Sequence, residues 1–169
     1  MSNPTDQSPA ATDALSFAPR TSVEQVEEGH DLAPKFDGDG LIACVTTDAS
    51  SGEVLMLGYM NRDALEKTIL TGEAHYWSRS RKVLWHKGAT SGLVQRVVEM
   101  RIDDDQDAVW LRVSLSAGKH AAPASCHVGY RSCFYRTVEL QTGRIRYAEA
   151  EKTFDPNLVY GGAPNPTIL

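Results

Sequence analysis

Apolar and polar positions alternate over residues 94–102 and again over 109–115, which predicts two half-buried strands. In the first, Val94, Val98, Met100 and Ile102 fall on one face, with Gln95, Glu99 and Arg101 on the other; Val97 is the exception on that polar face. In the second, Val109, Leu111, Val113 and Leu115 face the core. Upstream, 41–47 and 54–60 are β-leaning apolar runs split by Asp48-Ala49-Ser50-Ser51-Gly52, a hairpin signal. Cys44 lies inside the first run and reads as a buried thiol. Asn61 caps a helix from Arg62 to about Leu70, ended by Gly72, with Leu65 and Ile69 on its core face. Ser22-Val23-Glu24-Gln25 is a capping box that opens a short helix stopping at Gly29. A last hairpin spans 134–140 and 144–147 around Gln141-Thr142-Gly143.

Both ends depart from these patterns. Residues 1–20, rich in Ser, Pro, Ala, Thr and Asp, read as a disordered arm, and 149–169 as an irregular tail. The folded domain is then 21–148. The expected class is α+β: a compact, β-rich single domain with one main helix.

Composition narrows the function. The chain has 169 residues, enough for one domain with a real core, and a formal net charge of −5. An acidic balance disfavours nucleic acid as a partner, and no apolar stretch reaches membrane-spanning length. Three cysteines and no secretory signal point to the cytoplasm.

Candidate chemistry concentrates between Asp103 and Cys133. Asp103, Asp104, Asp105 and Asp107 repel one another unless solvent or a cation screens them. An EF-hand loop would need Gly at its sixth position and Glu at its twelfth, where Ala108 and Ser114 stand. In an extended backbone, Asp103, Asp105 and Asp107 share one face, and Asp104 points the opposite way. Cys126 and Cys133, with His127 beside the first, offer the softer donors that zinc prefers, and they equally suit a core. A hard-oxygen cluster and a sulfur/nitrogen cluster suggest two metals of different character. Arg79, Arg81 and Lys87, with Thr90 and Ser91 nearby, can hold phosphate or form a solvated basic edge.

Several blocks stand out together: Met60-Asn61, Gly72-Glu73-Ala74-His75-Tyr76-Trp77-Ser78-Arg79-Ser80-Arg81, Leu84-Trp85, Lys87-Gly88, Thr90-Ser91-Gly92, Cys126-His127 and Arg131-Ser132-Cys133-Phe134-Tyr135. In this order they resemble the phosphoribosyl-AMP cyclohydrolase family of histidine biosynthesis. The resemblance covers about residues 35–140 in order. It implies a homodimer with active sites at the subunit interface. It also implies hydrolytic opening of the adenine ring of 1-(5-phosphoribosyl)-AMP, a small-molecule nucleotide, with zinc and magnesium as cofactors.

Carried over residue by residue, the resemblance puts magnesium on Asp103, Asp105 and Asp107, and zinc on Cys126 and Cys133. The family pattern Asp-Cys-Asp-x-Asp would add a third sulfur, where this chain has Asp104. Ala89 replaces a usual Glu, and Val128 and Tyr130 stand where Thr and Arg are common. Asp104 can ligate through oxygen, and a harder donor shifts preference from zinc toward iron, manganese or cobalt. His127 is the candidate general acid/base, or else a histidine that orients a metal ligand. Arg79, Arg81, Lys87, Thr90 and Ser91 are the candidates for binding substrate. Two other readings follow from the departures: a metallohydrolase of the same fold for another purine-like or cyclic amidine substrate, and a non-catalytic metal-binding paralogue.

Overall fold

The computed structural model describes residues 15–167. Its centre is a four-stranded sheet built from β1 (Ile42–Asp48), β2 (Val54–Met60), β5 (Gln95–Ile102) and β6 (Ala108–Leu115), in the order β2-β1-β6-β5. The β1–β2 hairpin forms as expected, the two strands expected over 94–102 and 109–115 pair antiparallel as β5 and β6, and the two pairs are joined through a parallel β1–β6 pairing. Ile42, Cys44, Leu55, Met60, Val109, Leu111 and Val113 are buried in one core with Leu65 and Tyr76. Burial pushes the Cys44 thiol up to about 12, so it stays a neutral core group.

The main helix, α2 (Arg62–Thr71), opens with Asn61 Oδ1 accepting from Ala64 N and closes on left-handed Gly72. It runs into a further hairpin, β3 (His75–Ser78) with β4 (Val83–His86), and another follows at β7 (Arg136–Val138) and β8 (Ile145–Tyr147). The architecture is α+β and β-rich. The capping box also holds: Ser22 Oγ accepts from Gln25 N at the start of α1 (Val23–Glu27).

Several expectations need correction. Val98 is 62% exposed rather than core-facing. A bulge between Val97 and Glu99 leaves Val98 unpaired, so the parity of β5 switches there and Val97 packs on the core with Met100. The alternation before the bulge cannot be continued through it. Gln95, assigned to the polar face, is fully buried.

The acidic run does not stay extended. It turns sharply at Gln106, whose φ is +58°, and Asp103 Oδ1 accepts from the amides of Asp107 and Ala108, each at 2.9 Å. Asp104 therefore does not point away from its neighbours; one carboxylate oxygen each from Asp103, Asp104 and Asp105 lies within 4.8 Å of the others.

The tail is not wholly irregular. Asp155 Oδ1 caps a short helix, α3 (Pro156–Tyr160), and Phe154 is buried with Leu93 and Ala124 in a second, smaller core. Of the expected arm, residues 1–14 lie outside the described residues, while Phe17 packs against the main core and Arg20 bonds to the carbonyls of Ala33 and Asp105.

Candidate active site

Cys126 and Cys133 face each other across a tight loop. The amides of Ser125 and Cys126 donate to the carbonyls of Arg131 and Tyr130, so the chain doubles back between the cysteines. Gly129, at φ +105°, makes that reversal possible, and a Cβ there would meet Phe154 O at 2.5 Å.

The loop is fastened to the sheet at three places. Cys133 N donates to Leu55 O at 2.7 Å, and Ser132 Oγ to Val54 O at 2.7 Å. Arg131 reaches Asp48 Oδ2 at 2.7 Å and Glu53 Oε2 at 2.9 Å. A buried chain of hydrogen bonds then runs from Thr46 through Tyr76 and Gln95 to Ser125 Oγ, beside Cys126. Gln95 is buried because it is the connector in that chain, with Tyr76 donating to its oxygen and its nitrogen donating to Ser125.

The sulfurs share a proton. Hydrogen bonding from Cys133 brings the Cys126 thiol down to about 7, helped by the Lys87 ammonium. The same contact raises Cys133, because a second thiolate beside the first is opposed. Lys87 is 3% exposed, and burial lowers its pKa while the two cysteines oppose that shift. His127 is half-buried. Burial lowers its pKa, the positive charges of Lys87 and Arg81 act in the same direction, and Asn165 opposes, its Oδ1 lying 3.3 Å from Nε2. So Cys126, Cys133, His127, Lys87 and Arg81 belong to one neighbourhood. Ser91 is buried, accepting from Leu93 N, and its hydroxyl is near enough to Tyr160 to lower that phenol's pKa against the effect of burial, while Thr90 is exposed.

The carboxylates stand elsewhere. Ala108, at the end of their turn, pairs with Ala43 at the start of β1. Leu55, which anchors Cys133, lies beside Thr46 and Thr47 at the other end of β1. Four strand residues separate the two anchor points by about 13 Å. The clusters close in sequence are thus at opposite ends of the sheet. Lys35 Nζ lies 3.2 Å from Asp105 Oδ2 and 3.4 Å from Asp107 Oδ2, so an ammonium already bridges two of the acids. Arg79 is at this end too: its guanidinium stacks 3.9 Å over the Tyr59 ring, and it lines a cavity of about 270 Å³ with Asp39, Leu41, Asn61, Trp77 and Lys82.

Both clusters suit their implied ions. Two sulfurs that give up a proton near neutrality are donors for a borderline-soft cation such as zinc. The carboxylate oxygens that converge are those of Asp103, Asp104 and Asp105, a hard-donor set that suits magnesium, whereas Asp107 joins them only through the Lys35 ammonium it shares with Asp105. Sequence reasoning missed Lys35, Gln106, Tyr160 and Asn165. Gln106 carried one signal, a polar residue amid aspartates at a turn; for Tyr160 and Asn165 nothing local marked the tail as part of a site.

The phosphoribosyl-AMP cyclohydrolase family model matches residues 56–135, a span that contains every candidate site residue named from the sequence. Curated relatives agree over longer spans. A protein of Rhodopseudomonas palustris named phosphoribosyl-AMP cyclohydrolase is 54% identical over 149 residues, covering 86% of this chain and 97% of the relative. One of the same name from Bradyrhizobium diazoefficiens is 54% identical, covering 80% of this chain and 94% of the relative. Another, from Nitrobacter winogradskyi, is 51% identical, covering 82% and 94%.

Proposed function

Because the chain belongs to the phosphoribosyl-AMP cyclohydrolase family, we propose that it opens the adenine ring of 1-(5-phosphoribosyl)-AMP in histidine biosynthesis. The reaction adds water at C6 and breaks the N1–C6 bond. The observation that carries this reading is the full-length match, 97% of a named relative covered at 54% identity, with a sulfur pair and His127 together in the structure.

The transition metal belongs on Cys126 and Cys133, and magnesium on the acidic turn, where Asp103, Asp105 and Asp107 are its ligands. A cation at the cysteines supplies Lewis acidity toward the attacking water when bound. The chain's residues do the rest. His127 exchanges the proton: burial and two nearby cations hold it below the ordinary histidine range, so its imidazole is neutral and basic at neutral pH. Lys87, enclosed beside the sulfurs, offsets their negative charge and can meet a substrate phosphate only from within this pocket. Arg81, on the rim, and Arg79, in the cavity with Trp77, are open to the phosphoribosyl groups. Thr90 and Ser91 follow Lys87 in the chain and are the remaining candidates for binding substrate.

Within one chain, Asp104 sits with the acids and not with the sulfurs. A third ligand from position 104 must therefore come from a second copy, in keeping with a homodimer whose active sites lie at the interface. The proposed setting is cytoplasmic. Among the described residues, no helix is long and apolar enough to cross a membrane.

The test is turnover of 1-(5-phosphoribosyl)-AMP by metal-free protein, with zinc, manganese, cobalt and magnesium returned singly and in pairs. Ring opening that requires one transition metal plus magnesium supports the reading. Full turnover in the stripped protein, or none with any combination, refutes it. Asp104→Cys should raise zinc affinity if position 104 reaches the metal, and leave it unchanged if it does not.

A further inference from the structure

We propose that Gln106 is the positioning residue of the acidic turn: its buried amide locks the turn to the N-terminal segment and thereby gathers the carboxylates into a cation-binding geometry. The inference rests on the magnesium assignment above and deepens it.

Gln106 sits among four aspartates and yet is 4% exposed. Its Oε1 accepts from Ala33 N at 2.8 Å, and its Nε2 donates to Val26 O at 2.9 Å and Asp31 O at 3.1 Å. Its own carbonyl accepts from Lys35 N at 2.7 Å. One side chain thus joins the turn to three points on a segment more than 70 residues earlier in the chain. Arg20 adds a fifth contact, donating to Asp105 O at 2.8 Å. Lys35, from the same segment, reaches Asp105 and Asp107.

These bonds have a consequence for the acids. Carboxylates with oxygens within 4.8 Å repel one another, and a free turn would let them splay. Here the turn cannot relax, because Gln106 is held in the left-handed region by its amide bonds. Asp103 meanwhile is fixed by accepting two backbone amides. The side chains of Asp104 and Asp105 then project from a backbone with no freedom to separate them. A cation meets a site already assembled, and does not have to order it. Groups that orient ligands in this way are worth about 10–100-fold in metal affinity.

The experiment is calorimetric titration of the full chain with magnesium chloride, without substrate. Gln106→Gly keeps the left-handed backbone accessible and removes only the amide bonds. Its magnesium Kd should rise about tenfold or more while the circular dichroism spectrum is retained. Gln106→Asn, which tolerates the same φ but is one methylene too short, should behave alike. Should Gln106→Gly not fold, Arg20→Ala asks the same question through the Asp105 carbonyl alone and should raise Kd by a smaller factor. Wild-type binding with an unchanged Kd in folded variants overturns the positioning role and leaves the magnesium assignment standing. No magnesium binding by the wild type overturns both.

Discussion

The two ends of the central sheet hold their chemistry in opposite ways. The acidic turn is exposed, charged and held by a segment from the N-terminal side, through Gln106, Arg20 and Lys35. The cysteine loop is largely buried at Cys126, although Cys133 itself is exposed, and it is covered by a segment from the C-terminal side, through Phe154, Tyr160 and Asn165. Hydrated magnesium needs access and hard oxygens, whereas water activation gains from a dry, low-dielectric surround. On the proposed assignment of the two metals, the burial of Cys126 suits water activation and the exposure of the acidic turn suits magnesium.

The largest expected effect is at the enclosed end. Cys126→Ser and Cys133→Ser should each remove the tightly bound metal and lower kcat by roughly a thousandfold or more, since Lewis-acid stabilisation is worth several kcal/mol. Metal analysis on the purified variants gives the first half of that answer and steady-state rates the second. Full metal content in either variant would move the site elsewhere. Asp105→Asn should be milder: its kcat recovers as magnesium is raised.

A mixture of two impaired chains, assayed at low magnesium, tests whether the ends cooperate across subunits. Cys126→Ser and Asp105→Asn protomers, unfolded together and refolded at low magnesium, should recover about a quarter of the sites if each site takes its cysteines and aspartates from different copies. No recovery would mean that the two ends act independently, or within one chain through a rearrangement.

How much of this was legible beforehand differs between the two ends. The local elements were written in short-range signals: Asn61 and Gly72 bound α2, and the runs at 42–48 and 54–60 form the hairpin expected. The candidate donors were visible too, because Cys, His and Asp advertise their chemistry by type. What was hidden depended on tertiary contact. The bulge at Val98 is a pairing event between strands, and no alternation rule encodes it. Gln106 looks like one more polar turn residue until Ala33, Val26 and Asp31 are brought against it. The tail reads as irregular because the face it covers, near Leu93 and Ala124, comes from distant parts of the chain. The separation of Asp103–Asp107 from Cys126 was masked by the opposite impression, nearness in sequence, which β6 undoes by running the length of the sheet.

Lys87 sharpens the contrast in charge. In metal-free protein, Cys126 should titrate at about 7, followed by its thiolate absorbance in the ultraviolet. Lys87→Met removes a positive charge that favours the thiolate, so the titration should move upward. An unmoved titration would show that the ammonium does not act on the sulfur. Arg79→Met, at the other end of the sheet, should leave that titration where it is.

The ties that hold the cysteine loop should fail in acid before the core does. Asp48 is brought down to about 2, chiefly by the Ser50 hydroxyl, with backbone amides and Arg131 adding to it. A group whose folded value lies below its unfolded one stabilises the fold above the unfolded value. That contribution is complete above about pH 4 and lost as pH falls toward 2. Its size is about 2 kcal/mol. Urea midpoints measured across that range should fall in the wild type and fall less in Asp48→Asn. Equal slopes would assign the acid sensitivity to other carboxylates.

The smallest effect should come from the covering segment, which lies outside the 56–135 span matched by the family model. Asn165 Oδ1 accepts from His127 when Nε2 carries the proton, which leaves Nδ1 as the basic nitrogen. Removing the acceptor frees the ring to turn without removing the base. A hydrogen bond of this kind is worth about 1 kcal/mol, so Asn165→Ala should lower kcat roughly fivefold with KM little changed. Asn165→Asp keeps the acceptor and should recover most of the rate. Tyr160→Phe removes the hydroxyl that meets Ser91 but retains the ring that packs on Phe154, so its loss should be of similar size or less. The split between kcat and KM decides what the tail does. A fall in kcat that Asp restores makes it part of the proton-transfer geometry. A loss of thermal stability with kcat intact makes it only a cover, and the enclosed end would then owe its chemistry to the loop from Cys126 to Cys133 alone.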